Sequence, residues 1–154
     1  MDSADDMLKL DNQLCFALVT AARNVVAIYR PILEPLGLTH PQYLVMLALW
    51  EASPQALGEL ASDLAMEPAT LSPLVKRLES QGLVTRTRRQ GDERVLEIGL
   101  TADGRALRAD AVHVPDQVMA AVGMTVDDVT ALRDGLQPFA GRRMPRQQSP
   151  LPHE

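Results

Sequence analysis

A single cysteine, Cys15, and three scattered histidines, His40, His113 and His153, are the only thiol and imidazole groups in 154 residues. One thiol builds no disulfide framework, and no spaced His/Cys cluster is present, so neither a metal nor a cofactor is expected. Aromatic residues make up only 3% of the chain, so the core must come mainly from Leu, Val, Ala and Met, as in a helical protein. Uninterrupted hydrophobic runs are also lacking, because the apolar stretch Leu14 to Ile28 is broken by Thr20, Arg23 and Asn24. The opening Met1-Asp2-Ser3-Ala4-Asp5-Asp6 is acidic, where a signal peptide would be basic. Neither a signal peptide nor a membrane span is expected, and the cytoplasm is the expected compartment.

What is there suffices for one folded domain: 46% of residues are hydrophobic, and no internal repeat divides the chain. The segment Gly141 to Glu154, rich in Pro, Gln and Arg, has little to bury and reads as a disordered tail behind a single domain over 1–140.

The most informative stretch runs from Glu67 to Gly104. Pro68 suits a first helical position; Leu71, Leu74, Val75 and Leu78 repeat at helical spacing; Gly82 stands where a left-handed C-cap belongs. The opposite face carries Thr70, Ser72, Pro73, Lys76 and Arg77, groups that reach base edges and phosphates. Two short strands, Leu83 to Arg88 and Val95 to Leu100, then flank a turn at Gln90-Gly91-Asp92-Glu93. Between residues 68 and 94 six cations (Lys76, Arg77, Arg86, Arg88, Arg89, Arg94) stand against three anions, on a chain of formal charge −5. A positive element on an acidic protein is a local footprint for a polyanion. With the short helix Leu57 to Ala65 before it, the segment predicts a winged helix-turn-helix whose second helix enters the major groove.

A long helix is expected from about Asp11, as N-cap, toward Tyr29, with Pro31 and Pro35 bounding or bending its end. Thr39 and Gln42 form a capping-box pattern for a helix through Glu51, in which Tyr43 and Trp50 are core residues. Thr101 caps a helix through about Val122, bent near Pro115, and Thr125 with Asp128 caps another ending near Ala140. Their apolar positions, among them Ala111, Val118, Val126, Val129, Leu132 and Leu136, call for a partner. The expected class is therefore mainly α with a small β-wing. A DNA-binding module at about 56–100 is flanked by dimerisation helices at about 8–36 and 101–140. A homodimer would read double-stranded DNA at a pseudo-palindromic operator with half-sites about one turn (~34 Å) or a multiple apart.

The run Leu74-x-x-x-Leu78-x-x-x-Gly82-Leu83-Val84, the wing signature Asp92-Glu93-Arg94 and Leu100-Thr101-x-x-Gly104 together resemble the MarR family of bacterial transcriptional regulators. The blocks at 10–18, 29–39 and 41–51 are similar to one branch of it, the organic-hydroperoxide-sensing repressors, and the resemblance spans about 8–138. It implies that Asp92 orients the wing and Arg94 enters the minor groove. It also implies that Cys15 is the peroxide sensor near the dimer interface, and that Tyr29 hydrogen-bonds the sensor sulfur across the dimer. A second tyrosine is expected where this chain has His40. An imidazole is shorter than a phenol and titrates near neutral pH, so His40 stands either as a substitute contact or as a plain first-turn residue.

From the residues alone Cys15 admits two readings. A place in the opening turns of a helix favours the thiolate that attacks peroxide; a free cysteine is also commonly a small buried hydrophobe. With no second cysteine, the resemblance implies oxidation to sulfenic acid followed by capture by a low-molecular-weight thiol or cyclisation. The alternatives are a regulator answering a noncovalent aromatic ligand, with Cys15 as packing, and a thiol peroxidase turning over at Cys15; the expectation is a non-enzyme.

Overall fold

The computed structural model describes residues 3–140; the expected disordered tail, 141–154, lies outside the described residues. Eight helices and three strands follow in the order α1 (Ser3–Met7), α2 (Leu14–Leu33), α3 (His40–Glu51), β1 (Gln55–Ala56), α4 (Leu57–Asp63), α5 (Pro68–Ser80), β2 (Val84–Arg89), β3 (Asp92–Leu100), α6 (Ala102–Ala111), α7 (Val114–Val122) and α8 (Val126–Gly135). The antiparallel sheet has the order β1-β3-β2.

The amphipathic pattern of α5 puts Leu71, Val75 and Leu78 at 0% exposure. Each fully buried side chain of that size contributes roughly 1.5–3 kcal/mol, which anchors the helix against α3 and α4. Pro68 opens α5, and Gly82 follows its end at φ +77°, where a β-carbon would be strained. The turn before α5 passes through Ala65 at φ +52°. Thr39 and Gln42 form the expected capping box on α3, and Thr125 and Asp128 another on α8.

The hairpin is tighter than expected. Arg89 pairs with Asp92, so the turn is Gln90-Gly91 alone, with Gly91 at φ +92°, and a bulge lies between Arg88 and Arg89. Strand β1, pairing Gln55 with Ile98, was not expected. Two residues carry no periodicity, and the strand exists because β3 offers an edge and the buried Gln55 Nε2 donates to the carbonyls of Ala48 (2.9 Å) and Ala52 (2.7 Å).

The motif Gly82…Leu100-Thr101-x-x-Gly104 is a joint between the wing base and α6. Thr101 Oγ1 donates to the Gly82 carbonyl at 2.6 Å and accepts from the Gly104 amide at 3.0 Å. Trp50 Nε1 donates to the Gly104 carbonyl at 2.8 Å, which places this half-buried ring at the core's edge. A β-carbon at Gly104 would lie 2.1 Å from the Leu83 carbonyl oxygen, so only glycine allows the approach.

Several expectations need correction. Asp11 is not the N-cap of α2: it lies in a 3₁₀ turn, Leu10–Asn12, and Gln13 precedes the helix. Helix α2 continues through Pro31 to Leu33, which is fully buried. The helix expected from Thr101 to Val122 is two helices, parted at Val112-His113 with Pro115 in the first turn of α7, and α8 ends at Gly135. Ala111 and Val118 are buried within the protomer, so they are core positions and not partner-facing ones. Val126, Val129, Leu132 and Leu136, on or just beyond α8, are exposed, as are Leu14, Val19, Val25 and Val26 on α2. The segment Leu14–Leu36 is long and apolar enough to cross a membrane by length and composition, and it is almost wholly uncovered in the protomer.

Candidate nucleic-acid interface and thiol site

Burial of Leu71, Val75 and Leu78 turns the opposite side of α5 outward. Thr70, Pro73, Lys76 and Arg77 are exposed and Ser72 is half-buried, as the spacing required. The wing then adds its arginines in three different environments. Arg88 is exposed. Arg94 has 93% of its side chain in solvent, and Asp92 Oδ1 accepts from both its backbone amide (3.2 Å) and its Nε (3.3 Å). One carboxylate oxygen thus fixes the backbone and the direction of the guanidinium together.

Arg86 and Arg89 are tied down instead. The Arg86 guanidinium donates to Glu79 Oε1 at 3.1–3.2 Å, bridging α5 to β2. Arg89 Nε donates to Glu97 Oε1 at 2.7 Å across the β2–β3 pair, and this hydrogen bond raises the Arg89 pKa. Such half-exposed pairs are worth little in stability, but they fix how the wing sits against the helix. Sequence reading missed both pairs, because nothing in local periodicity aligns a helix carboxylate with a strand seven residues away.

Cys15 is exposed in the first turn of α2. Gln13 makes no side-chain cap there; its Nε2 reaches back to the carbonyls of Met7 (2.6 Å) and Lys9 (3.0 Å) and folds the N-terminal segment against the helix start. Tyr29 lies fourteen positions further along α2, about 21 Å away at the helical rise, so the two side chains of one protomer do not meet. Tyr29 meets His40 instead, edge to face with centroids 4.9 Å apart, and Tyr43 at 5.9 Å. Burial lowers the His40 pKa and raises those of both tyrosines. His40 also lines a groove of about 490 Å³ with Val26, Arg30, Glu34, Leu38 and Pro41. Among the described residues no group of His, Cys, Asp and Glu has the arrangement of a metal site.

The geometry has clear relatives. The MarR family signature matches residues 38–96. The organic hydroperoxide resistance transcriptional regulator of Bacillus subtilis (strain 168) is 38% identical over 136 residues, covering 88% of this chain and 92% of that one. AbfR, solved bound to DNA in both reduced and overoxidized states, superposes with a TM-score of 0.72 at 33% identity, over 88% of this chain and 94% and 95% of those chains. CouR from Rhodococcus jostii RHA1, bound to p-coumaroyl-CoA, gives a TM-score of 0.75 at 28% identity, over 89% of this chain and 98% of that one. An outward-facing basic helix, a wing braced by its own carboxylates and near-full-length likeness to such regulators agree: the chain belongs to the MarR family of DNA-binding transcriptional regulators.

Proposed function

We propose that the protein is a cytoplasmic homodimeric repressor that leaves its operator when organic hydroperoxide oxidises Cys15. The observation that carries this reading is the exposed thiol in the first turn of α2, in a chain similar along its length to an organic hydroperoxide resistance regulator. The thiolate attacks the peroxide's terminal oxygen, the O–O bond breaks, an alcohol leaves, and Cys15 becomes a sulfenic acid. A small cellular thiol then condenses with it, releasing water and leaving a mixed disulfide. With no second cysteine in the chain, an internal disulfide within one protomer is impossible. AbfR sits on DNA even when overoxidized, which favours the bulky adduct over added oxygen as the releasing species.

Uncovered apolar surface supports the dimer. The exposed apolar side chains Leu14, Val19, Val25 and Val26 of α2 and Val126, Val129 and Leu132 of α8 would be buried against a second copy. An antiparallel pairing of two α2 helices brings Cys15 of one protomer opposite Tyr29 of its partner, the contact that about 21 Å of helix forbids within a chain. Thr70, Ser72, Lys76 and Arg77 then work in the major groove, Arg94 enters the minor groove under the control of Asp92, and Arg88 meets phosphate. Arg86 and Arg89 add positive potential while holding the wing in shape.

Fluorescence anisotropy on DNA from upstream of the chain's own gene, at fixed salt, before and after hydroperoxide with a low-molecular-weight thiol, tests the reading. Release that requires Cys15, and fails in Cys15→Ser, is the expected result. Tight binding indifferent to oxidation would defeat it. That outcome would favour a second reading, suggested by the groove beside His40 and by the ligand-bound CouR: release by a noncovalent aromatic acid.

A further inference from the structure

A closed ring of side-chain hydrogen bonds joins three elements whose relative placement matters to DNA binding. Gln42, 4% exposed, accepts at Oε1 from the Thr39 amide (2.9 Å) and donates from Nε2 to Gln81 Oε1 (3.3 Å). Gln81 Nε2 in turn donates to the Gly37 carbonyl (2.8 Å). Gly37 ends the 3₁₀ turn that follows α2, Thr39 caps α3, and Gln81 caps the C-terminus of α5. The ring therefore ties the recognition helix to the far end of the helix that carries Cys15 and Tyr29. His40, which meets Tyr29 edge to face, is the residue immediately after Thr39.

The ring is more than a capping arrangement. A capping box on α3 needs only Thr39 and Gln42. The amide nitrogen of Gln42 donates to a residue 39 positions away, and Gln81 spans 44 residues to reach a backbone carbonyl. A buried amide holds its partners to one geometry, because a displaced partner leaves a polar group unsatisfied. A shift of the α2 end or of His40 that moves Thr39 therefore strains the Gln42–Gln81 bond at its buried end, and with it the C-terminal turn of α5.

We propose that Gln42 and Gln81 are positioning residues that couple the state of the Tyr29–His40 cluster to the setting of the recognition helix. The proposal rests on the redox-release reading. Coupling between two sites is read as a ratio of affinities, so it separates from plain stability.

The test compares wild type with Gln81→Ala, whose exposed site tolerates truncation. Three quantities are measured: operator Kd before and after cumene hydroperoxide plus cysteine, the rate of thiol loss at Cys15, and the thermal midpoint. The expected result is a release ratio reduced at least about 5-fold, the lower end of ordinary coupling, with thiol loss at the wild-type rate and the midpoint lowered only modestly, as the loss of one hydrogen bond partner requires. Gln81→Glu keeps an acceptor for Gln42 but replaces the donor to Gly37 with a second acceptor, and should show the same reduced ratio. Equal release by wild type and both variants would overturn the coupling while leaving the redox reading intact. A wild type that holds DNA after complete conversion of Cys15 to its mixed disulfide with cysteine would overturn both.

Discussion

The imidazole of His40 meets the phenol ring of Tyr29 edge to face, with centroids 4.9 Å apart and planes inclined by 63°. This packing belongs to the neutral imidazole. Burial lowers the folded-state pKa of His40 below its ordinary 6.5. Its stabilising contribution is thus complete above about pH 6.5 and is lost as pH falls through the lower folded value. Thermal midpoints measured downward from pH 7.5 should fall more steeply for wild type than for His40→Phe. Parallel curves would show that His40 titrates without consequence for the fold.

The Glu79–Arg86 pair makes a prediction opposite to simple electrostatics. Removing an acid from the DNA side of a protein ordinarily raises affinity. If Glu79 matters because it braces the wing through Arg86, Glu79→Ala should instead weaken operator binding several-fold, with a stability change of about 0–1 kcal/mol. Anisotropy at fixed salt decides between the two; tighter binding would reduce the pair to a surface contact.

Arg94 is almost fully solvated and contributes nothing to the core. Arg94→Ala should cost about 1–3 kcal/mol in operator affinity and leave the unfolding curve in place. Asp92→Asn should produce a smaller loss, because an amide oxygen still accepts from the Arg94 backbone. An Arg94→Ala titration that overlays wild type would remove Arg94 from the interface.

Gly104 stands where a β-carbon meets the Leu83 carbonyl oxygen at 2.1 Å. Gly104→Ala forces α6 away from the wing base and strains the bonds of Thr101 to Gly82 and of Trp50 to Gly104. Destabilisation of about 1–3 kcal/mol or more is expected from urea unfolding. A variant as stable as wild type would show that the joint gives way easily.

Much of this protein was readable from local residue order, because helix caps, tight turns and amphipathic periods are set by neighbours a few positions apart. The capping boxes at Thr39/Gln42 and Thr125/Asp128, the left-handed glycine at 82 and the outward face of α5 all follow from that short range. Short-range order also misled. Asp11 has the chemistry of an N-cap, yet Gln13 takes the place before the helix, with its side chain and that of Asn12 holding the preceding segment. Only the tertiary structure decided that Arg86 and Arg89 are bound to Glu79 and Glu97, that Ala111 and Val118 are interior, and that Gln42 reaches Gln81. Each of these depends on which distant segment the burial of the apolar core brings into range, and no local pattern encodes that choice.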